Sequence, residues 1–139
     1  MNDNNVFAIC RTAAGDIYIG TGCGLMRYNR QTDSFDIIPE LVGIFVYDIK
    51  EDTSGNLWLA TYVCGVFRYD VSKKEWKNYV HNEKDEKSLS NNKVLSVFED
   101  SRRNVWLTTQ GRGICLFHPE TENFTRYDTG NGLPNDVVY

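Results

Sequence analysis

The stretch Ser54-Gly55-Asn56-Leu57-Trp58-Leu59-Ala60-Thr61, SGNLWLAT, reads as a tight turn feeding a short strand, and the chain writes it three times. Its counterparts are AGDIYIGT at residues 14–21 and RRNVWLTT at residues 102–109. With Thr21, Thr61 and Thr109 as anchors, the spacings are 40 and 48 residues. Upstream of each anchor stands an apolar phrase: Val6-Phe7-Ala8-Ile9, Val46-Tyr47-Asp48-Ile49 and Val94-Leu95-Ser96-Val97. Downstream come Gly24-Leu25-Met26-Arg27-Tyr28-Asn29, Gly65-Val66-Phe67-Arg68-Tyr69-Asp70 and Gly113-Ile114-Cys115-Leu116-Phe117-His118, and then the aromatics Phe35, Trp76 and Phe124. Near the end, the surroundings of Leu133 and Val138 parallel those of Leu89 and Val94. Three units and the first residues of a fourth are thus written in 139 residues.

Each unit reads as four short strands. In the second they are expected near residues 45–51, 57–62, 66–69 and 75–80, bounded by turn chemistry. Ser54-Gly55-Asn56 suits a tight hairpin, because glycine tolerates the positive φ such turns demand. Arg102-Arg103-Asn104 lacks the glycine, so a looser turn is expected there. The run Leu57-Trp58-Leu59-Ala60 is apolar on both alternating faces, which calls for cover on both sides. Tandem four-stranded units of about 40–45 residues, buried on both faces, are the signature of β-propeller blades. A helical solenoid is excluded because the apolar spacing alternates by two, without a 3.6-residue rhythm.

The fold class is therefore all-β: a propeller segment of about three consecutive four-stranded antiparallel blades at residues 5–40, 45–86 and 92–129, with the start of another at 134–139. Propellers close with about four to eight blades. Three and a start leave apolar sheet faces open, so the expectation is a piece of a longer chain whose remaining blades cover those faces, and self-association of the piece when isolated. The alternative is a short protein that closes by self-association, three blades per subunit.

Composition excludes several functions. A net charge of −4 and no run of Lys or Arg longer than two leave no basic stripe for nucleic acid or anionic membrane. No segment approaches the roughly 18–20 apolar residues of a membrane span. The opening residues MNDNNVF lack the layout of a secretory signal.

The phrase V-x-x-[IV]-x-E-D-x-x-G-N-[LV]-W-[LI]-x-T at residues 46–61, repeated without its glycine at 94–109, resembles the two-component-regulator propeller repeats of hybrid histidine kinase sensors. The phrase G-[LV]-x-R-Y-[DN] near Gly24 and Gly65 and the connectors Ser88-Leu89-Ser90-Asn91-Asn92 and Gly132-Leu133-Pro134-Asn135-Asp136 carry the same resemblance. The first unit departs from it, with Arg11-Thr12 for Glu-Asp and Tyr18 for Trp. The resemblance implies a large periplasmic sensor of several blades, followed by a β-sandwich, a membrane span, and kinase and response-regulator modules. It implies oligosaccharide ligands that alter the pairing of two sensor chains. The rival readings are a propeller-fold polysaccharide lyase or hydrolase and a protein-interaction propeller.

Catalytic chemistry finds little footing. His81 lies in a polar connector, and His118 stands where the other units carry Asn29 and Asp70. There is no HExxH and no clustered Cys/His pair, so neither a metal nor another cofactor is expected. The loop from Asp52 to Asn56 lacks the alternating ligands of a calcium loop. Glu51-Asp52 and Glu99-Asp100 resemble paired carboxylates of glycoside hydrolysis, but their recurrence at one turn favours capping. The four cysteines are expected as free, mostly buried thiols, since equivalent sites on adjacent blades exceed disulfide reach. Trp58, Trp106, Trp76 and Phe124 recur by position and are expected in the core.

In such a meander the loop between strands two and three and the connector to the next blade share one face. That face gathers Gly22, Cys23, Tyr62, Val63, Gln110 and Arg112 with the connectors at residues 40–43, 81–87 and 130–131. The candidate ligand residues are Tyr62, Gln110 and Arg112: a stacking ring, an amide and a fork of donors for hydroxyls or a sugar carboxylate. Loop variability explains them equally well.

Overall fold

The computed structural model describes residues 5–134. The start of a further blade expected at 134–139 therefore falls, apart from Pro134, outside the described residues. Among the described residues twelve strands form three separate four-stranded antiparallel sheets, each a meander in chain order. The first holds β1 (Val6–Arg11), β2 (Ile17–Thr21), β3 (Gly24–Asn29) and β4 (Ser34–Ile37). The second holds β5 (Val46–Glu51), β6 (Leu57–Thr61), β7 (Val66–Asp70) and β8 (Glu75–Tyr79). The third holds β9 (Val94–Glu99), β10 (Val105–Thr109), β11 (Ile114–His118) and β12 (Asn123–Tyr127). Short 3₁₀ turns at Pro39–Leu41 and Thr129–Asn131 lie in the connectors. None of the described helices is long and apolar enough to cross a membrane.

The core sits between sheets. Leu25, Leu41, Val46, Ile49, Leu57 and Leu59 pack where the first blade meets the second. Trp58, Leu89, Val94, Leu107, Phe117 and Phe124 pack where the second meets the third. Among the described residues only the middle blade is covered on both sides, and its β6 is buried along its whole length. The first strands β1, β5 and β9 lie side by side, the arrangement of the inner strands of a propeller. Gly20 serves that approach: a Cβ there would sit 2.8 Å from Val46 Cγ1 of the next blade.

The recurring polar residues hold the blades. Asp52 accepts from the Ser54 and Asn56 amides and, at 2.9 Å, from the Trp58 indole. Asp100 repeats this with Arg102, Asn104 and Trp106. The neighbouring glutamates reach across blades: Glu51 accepts from the Ala13 amide, and Glu99 from the Thr53 amide and hydroxyl. Thr61 and Thr109 each donate to the carbonyl of the glycine opening the next strand.

Two expectations are corrected. The turn at Arg102-Arg103-Asn104 is not looser: Arg103 N donates to Asp100 O at 3.0 Å and Asp100 N to Asn104 O at 2.9 Å, matching Gly55 and Asp52 in the second blade. Arg103 adopts φ 65° where Gly15 and Gly55 stand at 92° and 86°. The Asp100 cap holds the left-handed conformation against its cost of about 1–2 kcal/mol. Second, the thiols are free but not mostly buried. Cys115 is buried, Cys10 and Cys64 half-buried, and Cys23 exposed at a loop tip.

Candidate functional site

The backbone brings the loops of one face together. Gly43 N donates to Cys23 O, Tyr62 N to Phe45 O, Gly65 N to Asn92 O and Gln110 N to Lys93 O, so both connectors between the described blades are laced to loops between second and third strands. On the opposite face, Arg30 reaches the Gly15 carbonyl and Val71 N donates to Asn56, tying the remaining hairpins to one another.

On the connector face four rings cluster. Phe7 lies 4.5 Å from Phe45 and 6.0 Å from Tyr47. Phe45 lies 5.0 Å from Tyr47 and 5.6 Å from Tyr62, and Tyr47 and Tyr62 are 5.8 Å apart. The Lys93 ammonium stands 4.7 Å above the Tyr62 ring. Phe7 and Tyr62 remain 45% and 38% exposed, so the cluster opens to solvent.

A defect in the ladder aims two of these rings. Val6 pairs with Thr21 and Ala8 with Gly20, which leaves Phe7 as an extra residue. Val46 and Asp48 pair with Thr61 and Ala60, leaving Tyr47 in the same state. The register of β9 shifts at the same place, around Leu95. Such bulges re-aim side chains out of the pleat and recur at functional rims. The bulges fall on the inner strands β1 and β5, and both extra residues, Phe7 and Tyr47, belong to the ring cluster. Phe45 and Lys93 occupy one repeat position, immediately before the first strand, which places a ring and a cation side by side.

Of the residues singled out from the sequence, Tyr62 is part of this cluster. Gln110 adjoins it through Lys93, and its carbonyl accepts from Asn91 Nδ2 at 2.7 Å. Arg112 stands apart, lining a pocket of ≈ 280 Å³ with Ser90, Gly111, Arg126 and Asp128. Arg126 there is spent on the connector, donating to the Ser88 and Asp85 carbonyls. Phe7, Phe45, Tyr47 and Lys93 were not legible as site residues. Their signal is the large apolar column Phe7, Tyr47, Leu95 inside a phrase that reads as core.

The histidines and acidic pairs have structural partners. His81 Nδ1 lies 2.8 Å from the Leu89 carbonyl, holding the connector, and His118 Nε2 lies 2.6 Å from Thr125 Oγ1. The indole and amide donors around Asp100 hold its carboxyl down at about 2, which keeps it an acceptor, unlike the raised carboxyl of a general acid. The Lys77 ammonium and Tyr79 hydroxyl likewise hold Glu122 low, bridging the second and third blades.

Consecutive meander blades packed through their faces, first strands innermost, define a β-propeller. The two-component-regulator propeller pattern matches residues 1–22, 40–63 and 88–111, half of the chain, and the chain belongs to that family. Histidine kinase P4 of Formosa agariphila is 35% identical over 94 residues, covering 62% of this chain and 7% of its own length. An extracellular domain assigned to a hybrid two-component system of B. thetaiotaomicron superposes with a TM-score of 0.81 at 21% identity, over 100% of this chain and 20% of that one. A virginiamycin B lyase of Staphylococcus aureus superposes with a TM-score of 0.69 at 15% identity, over 96% of this chain and 43% of the lyase. At these identities the structural likenesses establish the fold. The chain thus spans a small part of the relatives it matches.

Proposed function

We propose that the chain is a non-catalytic segment of the extracytoplasmic sensor of a hybrid two-component receptor, and that its connector face takes part in recognising an oligosaccharide. The observation that carries the ligand reading is the solvent-open cluster of Phe7, Phe45, Tyr47 and Tyr62 beside Lys93. Ring faces offer stacking to the C–H faces of sugars, and a cation and amide at the edge suit hydroxyl or carboxylate groups. Gln110 extends the face from the Lys93 side, and Arg112, in its separate pocket, is the remaining candidate for an acidic sugar group. Periplasmic placement accords with the extracellular domains that share the fold.

The acidic pairs, the obvious source of hydrolytic chemistry, support the same reading: each carboxylate already accepts from turn or inter-blade donors. The segments at residues 5–40, 45–86 and 92–129 serve as three blades of the receptor's ring, and its other blades are this chain's principal partners. The test is glycan-array and calorimetric binding by the full ectodomain with Tyr62→Ala and Tyr47→Ala. Loss of saccharide binding with an intact fold is expected. Saccharide binding untouched by both substitutions, or glycan depolymerisation by the ectodomain, would overturn the proposal.

A further inference from the structure

On the face opposite the aromatic cluster, a cleft of ≈ 310 Å³ opens between the second and third blades. Its lining includes Arg68, Arg102, Arg103, His118 and Glu120. Positions where the third blade departs from the other two converge here. Arg102-Arg103 replaces Ala14-Gly15 and Ser54-Gly55, and His118 replaces Asn29 and Asp70. Arg103 is held at φ 65° in a conformation its counterparts reach as glycines. A bulky cationic side chain is thus kept where the repeat otherwise uses the residue that fits without strain.

The lining sets three arginines, Arg68, Arg102 and Arg103, against three carboxylates, Asp52, Glu99 and Glu120, but the acceptors are unevenly available. Asp52 is committed to two amides and the Trp58 indole, and Glu99 to Thr53. Among the described residues neither Arg102 nor Arg103 forms an ion pair, and Glu120 is the one lining carboxylate without such a commitment. Beneath them the Arg68 guanidinium lies 5.5 Å from the Trp58 centroid and 5.6 Å from that of Phe117, 3.8 Å from Glu122, and its buried Nε has no hydrogen-bond partner. An orphan buried donor below two free guanidiniums is an arrangement short of acceptors.

We infer that this cleft is a second binding site, for an oxyanion group (sulfate, phosphate or carboxylate) held by the forks of Arg102 and Arg103 over the Arg68 floor. It is independent of the connector face and of the saccharide reading. The chemistry is that of the group itself, free or carried on a sugar. The substitution that tests it is Arg102→Ser with Arg103→Gly, which restores the second blade's own Ser-Gly turn and relieves the left-handed strain, so the fold is retained.

Amide NMR titrations with inorganic sulfate, inorganic phosphate, and galactose 6-sulfate against galactose, at constant ionic strength set by chloride, read the site. Saturable shifts at residues 102–104 and 118 are expected, weakened about tenfold or more in the double variant. Tighter binding of galactose 6-sulfate than of sulfate would identify a carried group, and equal binding a free one. Shifts that do not saturate, or that persist unchanged in the double variant, would overturn the site. Failure of the aromatic variants to affect saccharide binding would leave this result untouched.

Discussion

Gly113 closes the loop that carries Gln110 and Arg112, and its replacement by alanine separates two contributions that the structure distinguishes. Its φ is 71°, and an added Cβ would overlap the Tyr127 carbonyl oxygen while lying 3.1 Å from both the Tyr127 carbonyl carbon and Asp128 Cα. All three obstacles are backbone, so relief requires β12 to separate from β11 where Ile114 pairs with Tyr127. Alanine in the left-handed region costs about 1–2 kcal/mol, and each ladder hydrogen bond surrendered about 1 kcal/mol, so loss of two brings Gly113→Ala to about 3–4 kcal/mol. Gly111, two residues away, supplies the control: its φ is 78° and an added Cβ meets nothing within 4 Å. Gly111→Ala therefore carries the conformational cost alone, about 1–2 kcal/mol. Urea unfolding followed by tryptophan emission measures the difference, with Gly65→Ala in the second blade expected to follow Gly113→Ala. Equal destabilisation of the Gly111 and Gly113 variants would show that close approach of the last strand does not fix this loop, and the reasoning would fail.

Asp100 has a depressed carboxyl, so the stability it confers is fully present above its ordinary value of 3.8 and is lost as pH falls through about 2. Acid titration monitored by Trp106 emission is expected to show a step in that window, absent in Asp100→Asn; an identical step in the variant would refute the assignment. Cys23 is exposed and Cys115 buried, its thiol pushed up by burial and donating to Ser90 Oγ at 3.2 Å. A disulfide reagent should therefore modify Cys23 rapidly and Cys115 only on unfolding, and equal rates would contradict the packing. Val6 and Ile9 are 58% and 70% exposed where their counterparts Val46 and Ile49 are 0% and 4% exposed. Light scattering should accordingly show concentration-dependent association that Ile9→Lys weakens without unfolding; a strictly monomeric chain at high concentration would refute it.

What the sequence made legible was what the repeat forces on every blade. The phrase ending at Thr61 fixes a strand because its turn closes with the same pair of backbone hydrogen bonds in all three copies and its terminal threonine bonds in each to the glycine carbonyl of the following loop. The Arg102-Arg103 turn is tighter than its residue types suggest because the Asp100 cap supplies the same three acceptances as Asp52 whatever residue occupies the left-handed position. The bulges were illegible for a related reason. A bulge is a property of the pairing between β1 and β2 or β5 and β6, and nothing in Val6-Phe7-Ala8 or Val46-Tyr47-Asp48 alone declares that the middle residue is unpaired. Leu41 shows the converse. It is fully buried, as is Leu89, and each stands five residues before the first valine of the next blade, a spacing present in the sequence once the valines are aligned.

The division between recurring and departing residues also explains how one fold can carry two dissimilar surfaces. A blade must present the same acceptors to its own turn and to its neighbour, and those duties consume Asp52, Asp100, Glu51, Glu99, Thr61 and Thr109. Residues so engaged cannot be turned to a ligand without loosening a blade. Positions free of that duty are the loop tips, the bulged residues and the turn centres, and there the blades diverge. Gly22, Tyr62 and Gln110 share one such position, and Gly15, Gly55 and Arg103 another. The inner bulges and connectors collect rings on one loop face, while the hairpin turns collect guanidiniums on the other. Since no residue is common to the two sets, substitutions on either face should leave the other's binding unaltered, as additivity between distant sites requires.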